Sequence, residues 1–242
     1  MELTILHLYP DAMSLYGEYA NLLVLKEHLE LVGVTVNMKT ALFEDTPNFA
    51  NADFIYMGAG TERTQKAAIT ALLPHREALK AALDRGAILL FTGNAMELVG
   101  ESVTDTSGEA WPCLGLAQFT TVESDKRVPV DVIALPELWD APVVGFMNKC
   151  SVTTGVTSPL FPSLSLGLGN EREQGAEGYV EGNLFATHLT GPVLVKNPDF
   201  TAFLIRRIFE IKGWDCPEQM PDLPYEREAY QVTLAELRAP RK

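Results

Sequence analysis

The chain has 242 residues, of which 47% are hydrophobic, and its 32 acidic residues outnumber 19 basic ones, for a formal net charge of −13. This length and apolar content suffice for a domain with a full buried core. Nucleic-acid binding requires a basic face, so this charge balance argues against a nucleic-acid partner. The sequence has no signal pattern and no apolar run of membrane-spanning length, so we predict a cytoplasmic protein without a membrane span.

The cysteines and histidines follow no ligand spacing. Three widely spaced cysteines without a C-x-x-C pair argue against a disulfide framework or a zinc site. We interpret Cys113 and Cys150 as small packing residues and give no role to Cys216. The four histidines are scattered and never four residues apart, so we predict neither a metal nor a cofactor; they are His7, His28, His75 and His188.

The first half of the chain alternates short apolar runs with helical segments, which is typical of a parallel sheet with crossover helices. The predicted strands are residues 3–8, 35–38, 53–57 and 87–91. The predicted helices are residues 19–32 and 64–84. Pro74 is expected to divide the second helix, because proline removes an interior hydrogen bond.

The second half has shorter strand-like segments, at residues 119–122, 128–133 and 143–146, which predict an antiparallel extension of the same domain. Residues 167–182 are interpreted as a loop. Residues 184–187 and 198–211 are predicted to form the last strand and the last core helix. We therefore predict one α/β domain at residues 1–213 and a C-terminal tail at 214–242, with a surface helix over 225–238.

Residues 87–100, AILLFTGNAMELVG, have the strand, tight turn and helix of a nucleophile elbow. Such a turn holds residue 93 or 94 at its apex, above the start of the helix. An enzyme would place its reactive side chain there. Gly93 has no side chain, and it is flanked by Thr92 and Asn94.

Four segments together resemble one family, the class I glutamine amidotransferases, in the CobB/CobQ-like branch that includes the GatD subunit of lipid II isoglutaminyl synthase. LYPDAMSLYGEYANLLVLKEHLE resembles LYPDxMxxYGDxGN, and MGAGTERTQ resembles the loop GGGxDxxQ. TGNAMELVG resembles the elbow CGGxQxLG, and ATHLTGPVLVKNP resembles GTYLHGPLLxxNP. The resemblance implies a flavodoxin-like fold, with a central, mostly parallel sheet flanked by helices.

The resemblance also implies a cysteine that attacks the glutamine amide and a histidine that acts as base. Alignment places Gly93 at the cysteine and Thr190 at the histidine. Glycine cannot form a thioester, and threonine cannot replace imidazole as a proton shuttle near neutral pH. We therefore expect no ordinary glutamine hydrolysis. Thr92, His188 and Glu97 are the candidates for a relocated catalytic group; His188 is alternatively a packed or solvent-facing histidine.

We expect the ligand-binding residues to match the family pattern more closely than the catalytic residues do. Arg127 follows Lys126 in a segment that resembles KRxxGxV, whose arginine the resemblance places near the α-carboxylate of the substrate, and a guanidinium can hold a carboxylate bidentately. An exposed strand-edge arginine is the alternative. The remaining candidates are backbone donors or turn residues, namely Gly58, Ala59, Gly60 and Asn94.

Two further departures from the family pattern lie nearby. Val130 replaces the glycine of KRxxGxV, and GFMNK, which ends in Asn148 and Lys149, resembles the family's GFENH.

The leading hypothesis is a GatD-like, non-hydrolysing subunit of a peptidoglycan-amidating complex, whose partner the resemblance implies to be a Mur-ligase-like synthetase. One alternative is an active amidotransferase or amide hydrolase with a relocated catalytic constellation. The other is a stand-alone module that binds glutamine or another small carboxylate.

Overall fold

The computed structural model describes residues 1–239, so the predicted tail at 214–242 extends beyond the described range by three residues. Its central sheet has six strands in the order β10-β11-β4-β3-β1-β2. All neighbours are parallel except the edge pair β10 and β11, as expected for the predicted mostly parallel sheet. The strands are β1 Glu2–Leu8, β2 Thr35–Ala41, β3 Phe54–Met57, β4 Ile88–Thr92, β10 Tyr179–Glu181 and β11 Leu184–Thr187.

Helices cover both faces of this sheet because successive strand side chains point to opposite sides. Helices α2 (Glu62–Leu72) and α3 (Arg76–Asp84) pack on the face that carries Leu6, Ile55 and Leu89. Helices α1 (Ala20–Leu31) and α5 (Pro198–Lys212) pack on the opposite face, against Ile5, Phe54 and Ile88. The apolar strands are therefore buried on both sides, as parallel strands usually are.

The region predicted as an antiparallel extension is a second sheet of five strands, in which β9 pairs with β7 beside the path β6-β5-β7-β8. This sheet is mixed, because β5 and β7 pair in parallel whereas the other neighbouring strands are antiparallel. Its strands are β5 Ser102–Thr104, β6 Ala110–Pro112, β7 Thr120–Leu135, β8 Val143–Thr154 and β9 Ser163–Leu166. The separate strands predicted at 119–122 and 128–133 are wrong, because β7 is continuous with a register shift between Glu123 and Val128. The strand predicted at 143–146 continues to Thr154.

One helical prediction also needs correction. The elbow is followed by a 3-10 helix, Gly93–Val99, rather than an α-helix. The prediction that Pro74 divides the helix at 64–84 is confirmed, because the 3-10 turn Leu73–His75 separates α2 from α3. Residues 167–182 are largely irregular, as predicted, but they include β10 near their end.

The C-terminal helix α6 (Pro224–Arg238) packs back onto the domain, beside the short helix α4 (Val193–Lys196). Tyr230 is buried against the second sheet, and its hydroxyl donates to the Pro142 carbonyl at 2.8 Å. The ring of His28 lies 2.8 Å from the Glu226 carboxyl. Within residues 1–239, no helix has both the length and the apolar character needed to cross a membrane.

Candidate active site

A cavity of about 200 Å³ lies beyond the carboxyl ends of β3 and β4, where β8 and the segment after β11 converge on the elbow. Parallel strands end at one edge of a sheet, which explains how segments distant in sequence meet there. The cavity brings together most of the predicted site residues, namely Ala59, Gly60, Gly93, Asn94, Arg127, His188 and Thr190.

Gly93 keeps the backbone geometry of an elbow apex, with a left-handed φ of +61°. Its N–H donates to the Leu189 carbonyl at 3.3 Å. A Cβ built on Gly93 would lie 2.4 Å from the Cβ of Ala59, much closer than real Cβ atoms approach. The apex therefore has no room for any side chain while Ala59 is in place.

The Asn94 side chain makes hydrogen bonds with the backbone of the neighbouring loop. Its Oδ1 accepts from the Gly60 N–H at 2.9 Å, and its Nδ2 donates to the Gly60 carbonyl at 3.0 Å. The Gly60 backbone donor, expected to face a ligand, is thus hydrogen-bonded within the protein. Gly58 lies deeper, where an added Cβ would be 2.6 Å from the Cβ of Glu18, so its lack of a side chain has a packing reason.

Thr190 belongs to a buried network around Glu18, whose side chain is fully enclosed. The Thr190 hydroxyl donates to Glu18 Oε1, which also accepts from the Gly191 N–H at 2.6 Å. Glu18 Oε2 accepts from Thr92 and from the Tyr56 hydroxyl, the latter at 3.0 Å. Thr92 is therefore a fully buried member of this network, below the cavity rather than on its wall.

His188 is buried deep in the cavity wall. Its Nδ1 lies 3.1 Å from Glu177 Oε1, and its Nε2 lies 3.3 Å from Thr153 Oγ1 and 3.7 Å from Glu97 Oε1. Burial, with the nearby Lys149 ammonium, lowers the pKa of His188 despite the two carboxyl groups. The imidazole ring is thus neutral, and its hydrogen bonds to Glu177 and Thr153 fix its position.

Arg127 lies at the cavity mouth with 42% of its side chain exposed. Its guanidinium is paired with Glu62 and donates to the Asn148 carbonyl at 2.9 Å. Burial alone would raise the pKa of Glu62, but the hydrogen bond from Arg127 and further partners lower it overall. The group predicted to hold a ligand carboxylate therefore already holds one of the protein's own.

Sequence reasoning missed the contribution of β8. Cys150 is buried, as expected of a packing residue, but it also lines the cavity together with Lys149 and Ser151. The Cys150 thiol donates to Glu62 Oε1 at 3.3 Å, and burial followed by the Glu62 charge raises its pKa to about 11. Cys113, by contrast, packs in the core as predicted. The segment GFMNK, which departs from the family pattern GFENH, was the sequence feature that could have indicated that β8 contributes to the site.

The cavity floor carries Glu97, which is buried and accepts hydrogen bonds from Ser151 and from Gln65 Nε2, the latter at 2.6 Å. Lys149 is also buried, and its ammonium donates to the Asn170 carbonyl at 2.7 Å. Within the described chain, no cluster of three or more His, Cys, Asp or Glu residues is arranged to hold a metal ion.

Comparison with known proteins places this geometry in a family. Residues 4–198 match the CobB/CobQ-like glutamine amidotransferase domain. The lipid II isoglutaminyl synthase (glutamine-hydrolyzing) subunit GatD of Staphylococcus aureus (strain N315) is 28% identical over 233 residues, which cover 96% of this chain and 95% of that protein. The subunit of the same name from Streptococcus pneumoniae (strain ATCC BAA-255 / R6) is 26% identical over 207 residues, covering 84% and 79%.

A crystal structure described as a glutamine amidotransferase shares the fold, with a TM-score of 0.52 and 12% identity over 86% of this chain and 98% of that one. The match to the domain extends over most of the chain and includes the elbow, the cavity loops and the segment after β11. The chain therefore belongs to the CobB/CobQ-like glutamine amidotransferase domain family.

Proposed function

We propose that this chain is a GatD-like subunit of a cell-wall amidating complex that does not itself hydrolyse glutamine. The two curated relatives are named as subunits of a lipid II isoglutaminyl synthase, and the match to the first covers nearly the whole of both chains. A subunit of this kind would act with a Mur-ligase-like synthetase, which would carry the acceptor chemistry.

The observation that carries the proposal is the filled apex of the elbow. Gly93 has no nucleophile, and the Ala59 methyl occupies the place where one would begin. Loss of the nucleophile in a comparable catalytic triad costs about a million-fold in turnover. A relocated nucleophile would have to work without this apex.

The position of the family's base supports the same conclusion. Thr190 donates its hydroxyl proton to Glu18, so its oxygen is tied into a buried network. His188 is enclosed between Glu177 and Thr153, and its lowered pKa makes it a weak base. Neither residue is placed as the proton shuttle that thioester chemistry requires.

The backbone donors and the remaining thiol also favour a non-hydrolysing role. The Gly60 N–H is bound to the Asn94 side chain and is not available to hold an oxyanion. Cys150 has a pKa of about 11, so at pH 7 it is a thiol rather than the reactive thiolate. The complex would then draw ammonia from another source, such as free ammonium.

The test compares nitrogen donors in the assembled complex. The chain is co-purified with the synthetase of the same organism, and amidation of lipid II is measured with glutamine or with ammonium chloride. We expect ammonium to support amidation and glutamine to release no ammonia above background. The Staphylococcus aureus GatD complex is the positive control for glutamine hydrolysis.

Glutamate formation from glutamine at an ordinary enzymatic rate of about 1 per second or more would reject the proposal. Loss of that activity in H188A or E97A would then favour the relocated catalytic constellation. Failure to form any complex with a synthetase would instead favour a stand-alone binding module.

A further inference from the structure

A second cavity, the amino-edge cavity, has a volume of about 280 Å³ and lies between Leu3 and Asp53 on the sheet side and Ile208 and Lys212 on α5. It opens at the amino ends of β1, β3 and β4, the edge of the central sheet opposite the candidate active site. The two cavities share no lining residue. Small-molecule sites are typically concave, with apolar walls and a few polar groups that orient the ligand.

The inner wall of the amino-edge cavity is apolar. Leu3 on β1, Ile88 on β4 and Ile208 on α5 line it, and each is at most 2% exposed. Ile211, which is half-buried, lines it one turn further along α5. The three buried side chains also pack in the core between the sheet and α5, so this wall is preformed.

Three charged residues line the same cavity, and two of them compensate each other. The Lys212 ammonium lies 2.6 Å from Asp53 Oδ1, and Asp53 Oδ2 accepts from the Thr4 N–H at 2.8 Å. Arg85 is the third, and no carboxylate of residues 1–239 lies within 4 Å of its guanidinium. The cavity therefore carries a net positive charge, in a chain whose formal net charge is −13.

Backbone carbonyls hold the Arg85 guanidinium in place. Its Nη2 donates to the Phe49 carbonyl at 2.8 Å and, more weakly, to the Ala52 carbonyl at 3.4 Å. Both acceptors precede β3, so the guanidinium does not cap its own helix. A guanidinium has five N–H donors, and the three on Nε and Nη1 bond to no acceptor within the described chain. These three donors keep capacity for a ligand.

Helices α3 and α5 both end at this cavity, and bare carbonyls at a helix C-terminus would repel an anion. The last carbonyls of α3, at residues 81–83, accept from the N–H groups of residues 85–87. The carbonyls of residues 209–210 in α5 accept from those of residues 213–214. Because these carbonyls are satisfied, the unpaired guanidinium decides which charge the cavity favours.

We infer that the amino-edge cavity binds a small monocarboxylate with an apolar body, with the carboxylate at Arg85 and the hydrocarbon against Leu3, Ile88 and Ile208. A guanidinium presents two parallel N–H groups, which match the two oxygens of a carboxylate. Asp53 would repel a second acidic group, so a monoanion is favoured over a dicarboxylate. This site is independent of the proposed function, because none of its residues lines the candidate active site.

The test is a calorimetric titration of the full chain at pH 7 with hexanoate, with acetate as a probe that lacks the apolar body and hexylammonium as a probe of opposite charge. We expect saturable binding of hexanoate. Either other probe should bind at least about tenfold more weakly, because each loses one of the two interactions. No binding of hexanoate, or binding of acetate or hexylammonium as tight as that of hexanoate, would overturn the inference.

Isoleucine methyl NMR locates the bound hexanoate. The δ1-methyl signals of Ile88, Ile208 and Ile211 should shift during the titration, whereas that of Ile133, in the second sheet, should not. No isoleucine lines the candidate active site, so binding there would leave all three signals in place. Saturable binding without a shift of these signals would overturn the inference.

Variants of Arg85 test the charged half of the site. R85Q should bind hexanoate at least about tenfold more weakly. R85K keeps the charge without the planar fork, so its affinity should lie between those of R85Q and the wild type. R206Q is the matched control, because Arg206 is an exposed arginine of α5 that lines neither cavity, and it should bind hexanoate as the wild type does. Unchanged affinity in both Arg85 variants would overturn the inference, and the methyl spectrum of each variant checks that it is folded.

Discussion

Ala59 and Gly93 lie so close together that only one of the two positions can carry a side chain, because a Cβ on Gly93 would lie 2.4 Å from the Ala59 Cβ. The two residues meet because β3 and β4 are parallel neighbours, and the turns that follow them leave the sheet at the same edge. The family pattern has glycine where this chain has Ala59 and cysteine where it has Gly93. Restoring the cysteine alone would therefore place two side chains in the space of one.

We expect G93C to destabilise the fold by about 1–3 kcal/mol through overpacking. The left-handed φ of +61° adds strain for any residue with a side chain. In the A59G background the same substitution should cost at least about 1 kcal/mol less, because the colliding methyl is gone. Urea denaturation of the wild type, both single variants and the double variant measures this coupling. Additive effects would contradict the steric account.

The buried Glu18 network predicts a second stability effect. E18A would leave the Tyr56, Thr92 and Thr190 hydroxyls without their shared acceptor, and we expect a loss of about 3 kcal/mol or more. T190V removes one donor and should cost about 1 kcal/mol. Thermal and urea unfolding check both values. E27A, on the exposed side of α1, is the control and should change stability by less than about 0.5 kcal/mol.

The buried His7 predicts that the stability of the fold depends on pH. It is 5% exposed, its Nε2 has no hydrogen-bond partner among the described residues, and burial lowers its pKa to about 4. The unfolded chain, with an ordinary histidine pKa near 6.5, binds more protons between pH 6.5 and pH 4, so stability falls as the pH falls through that window.

We expect H7L to remove this contribution, which is about 2 kcal/mol at pH 5 for a pKa shift of this size. The stability difference between H7L and the wild type should therefore grow by about that amount between pH 7 and pH 5. Urea denaturation at the two pH values gives the answer, and a difference that does not change with pH would contradict the assigned shift.

Cys150 predicts a change in thiol reactivity. Its high pKa results from burial and from the Glu62 carboxyl, which also accepts a hydrogen bond from the thiol. E62Q removes that charge, so the pKa should fall, and each unit of decrease raises the thiolate fraction about tenfold.

Alkylation by iodoacetamide at pH 8, followed by peptide mass spectrometry, checks this expectation. Cys216 is exposed and serves as the internal reference in each sample. Cys150 should react faster in E62Q than in the wild type, whereas E77Q should leave its rate unchanged. Equal rates in E62Q and the wild type would show that Glu62 does not control the thiol.

The alternation of apolar strands and helices predicted five of the six strands of the central sheet, because strands buried on both faces are largely apolar, whereas the short edge strand β10 was predicted as loop. The second sheet was less predictable. Residues 124–127, SDKR, interrupt the apolar pattern of β7, but they lie in a largely exposed part of a strand whose backbone pairing extends past them. Local polarity therefore predicted the end of a strand, whereas the pairing with β8 only shifts register over these residues and resumes at Val128.

The candidate site was also predictable from the sequence only in part. The motif order located Gly93, Thr190 and Arg127, because each lies in a segment with a recognisable local pattern. Cys150 lies in none of them, and it reaches the cavity only because β8 extends to Thr154 along β7. The pairing of Arg127 with Glu62 was equally hidden, since it joins α2 to β7 across the cavity mouth.

By itself, the sequence determined the family and most strands of the central sheet, and it predicted Gly93 and Thr190 at the positions of the cysteine and the histidine, because these depend on residue identity and short-range pattern. Only the tertiary structure decided what surrounds these two positions. Ala59 fills the apex, Asn94 binds the Gly60 backbone, and Glu97 and Lys149 share the cavity floor. Each of these relations joins residues that are distant along the chain, and contact between such residues exists only after the sheet has brought its strand ends together.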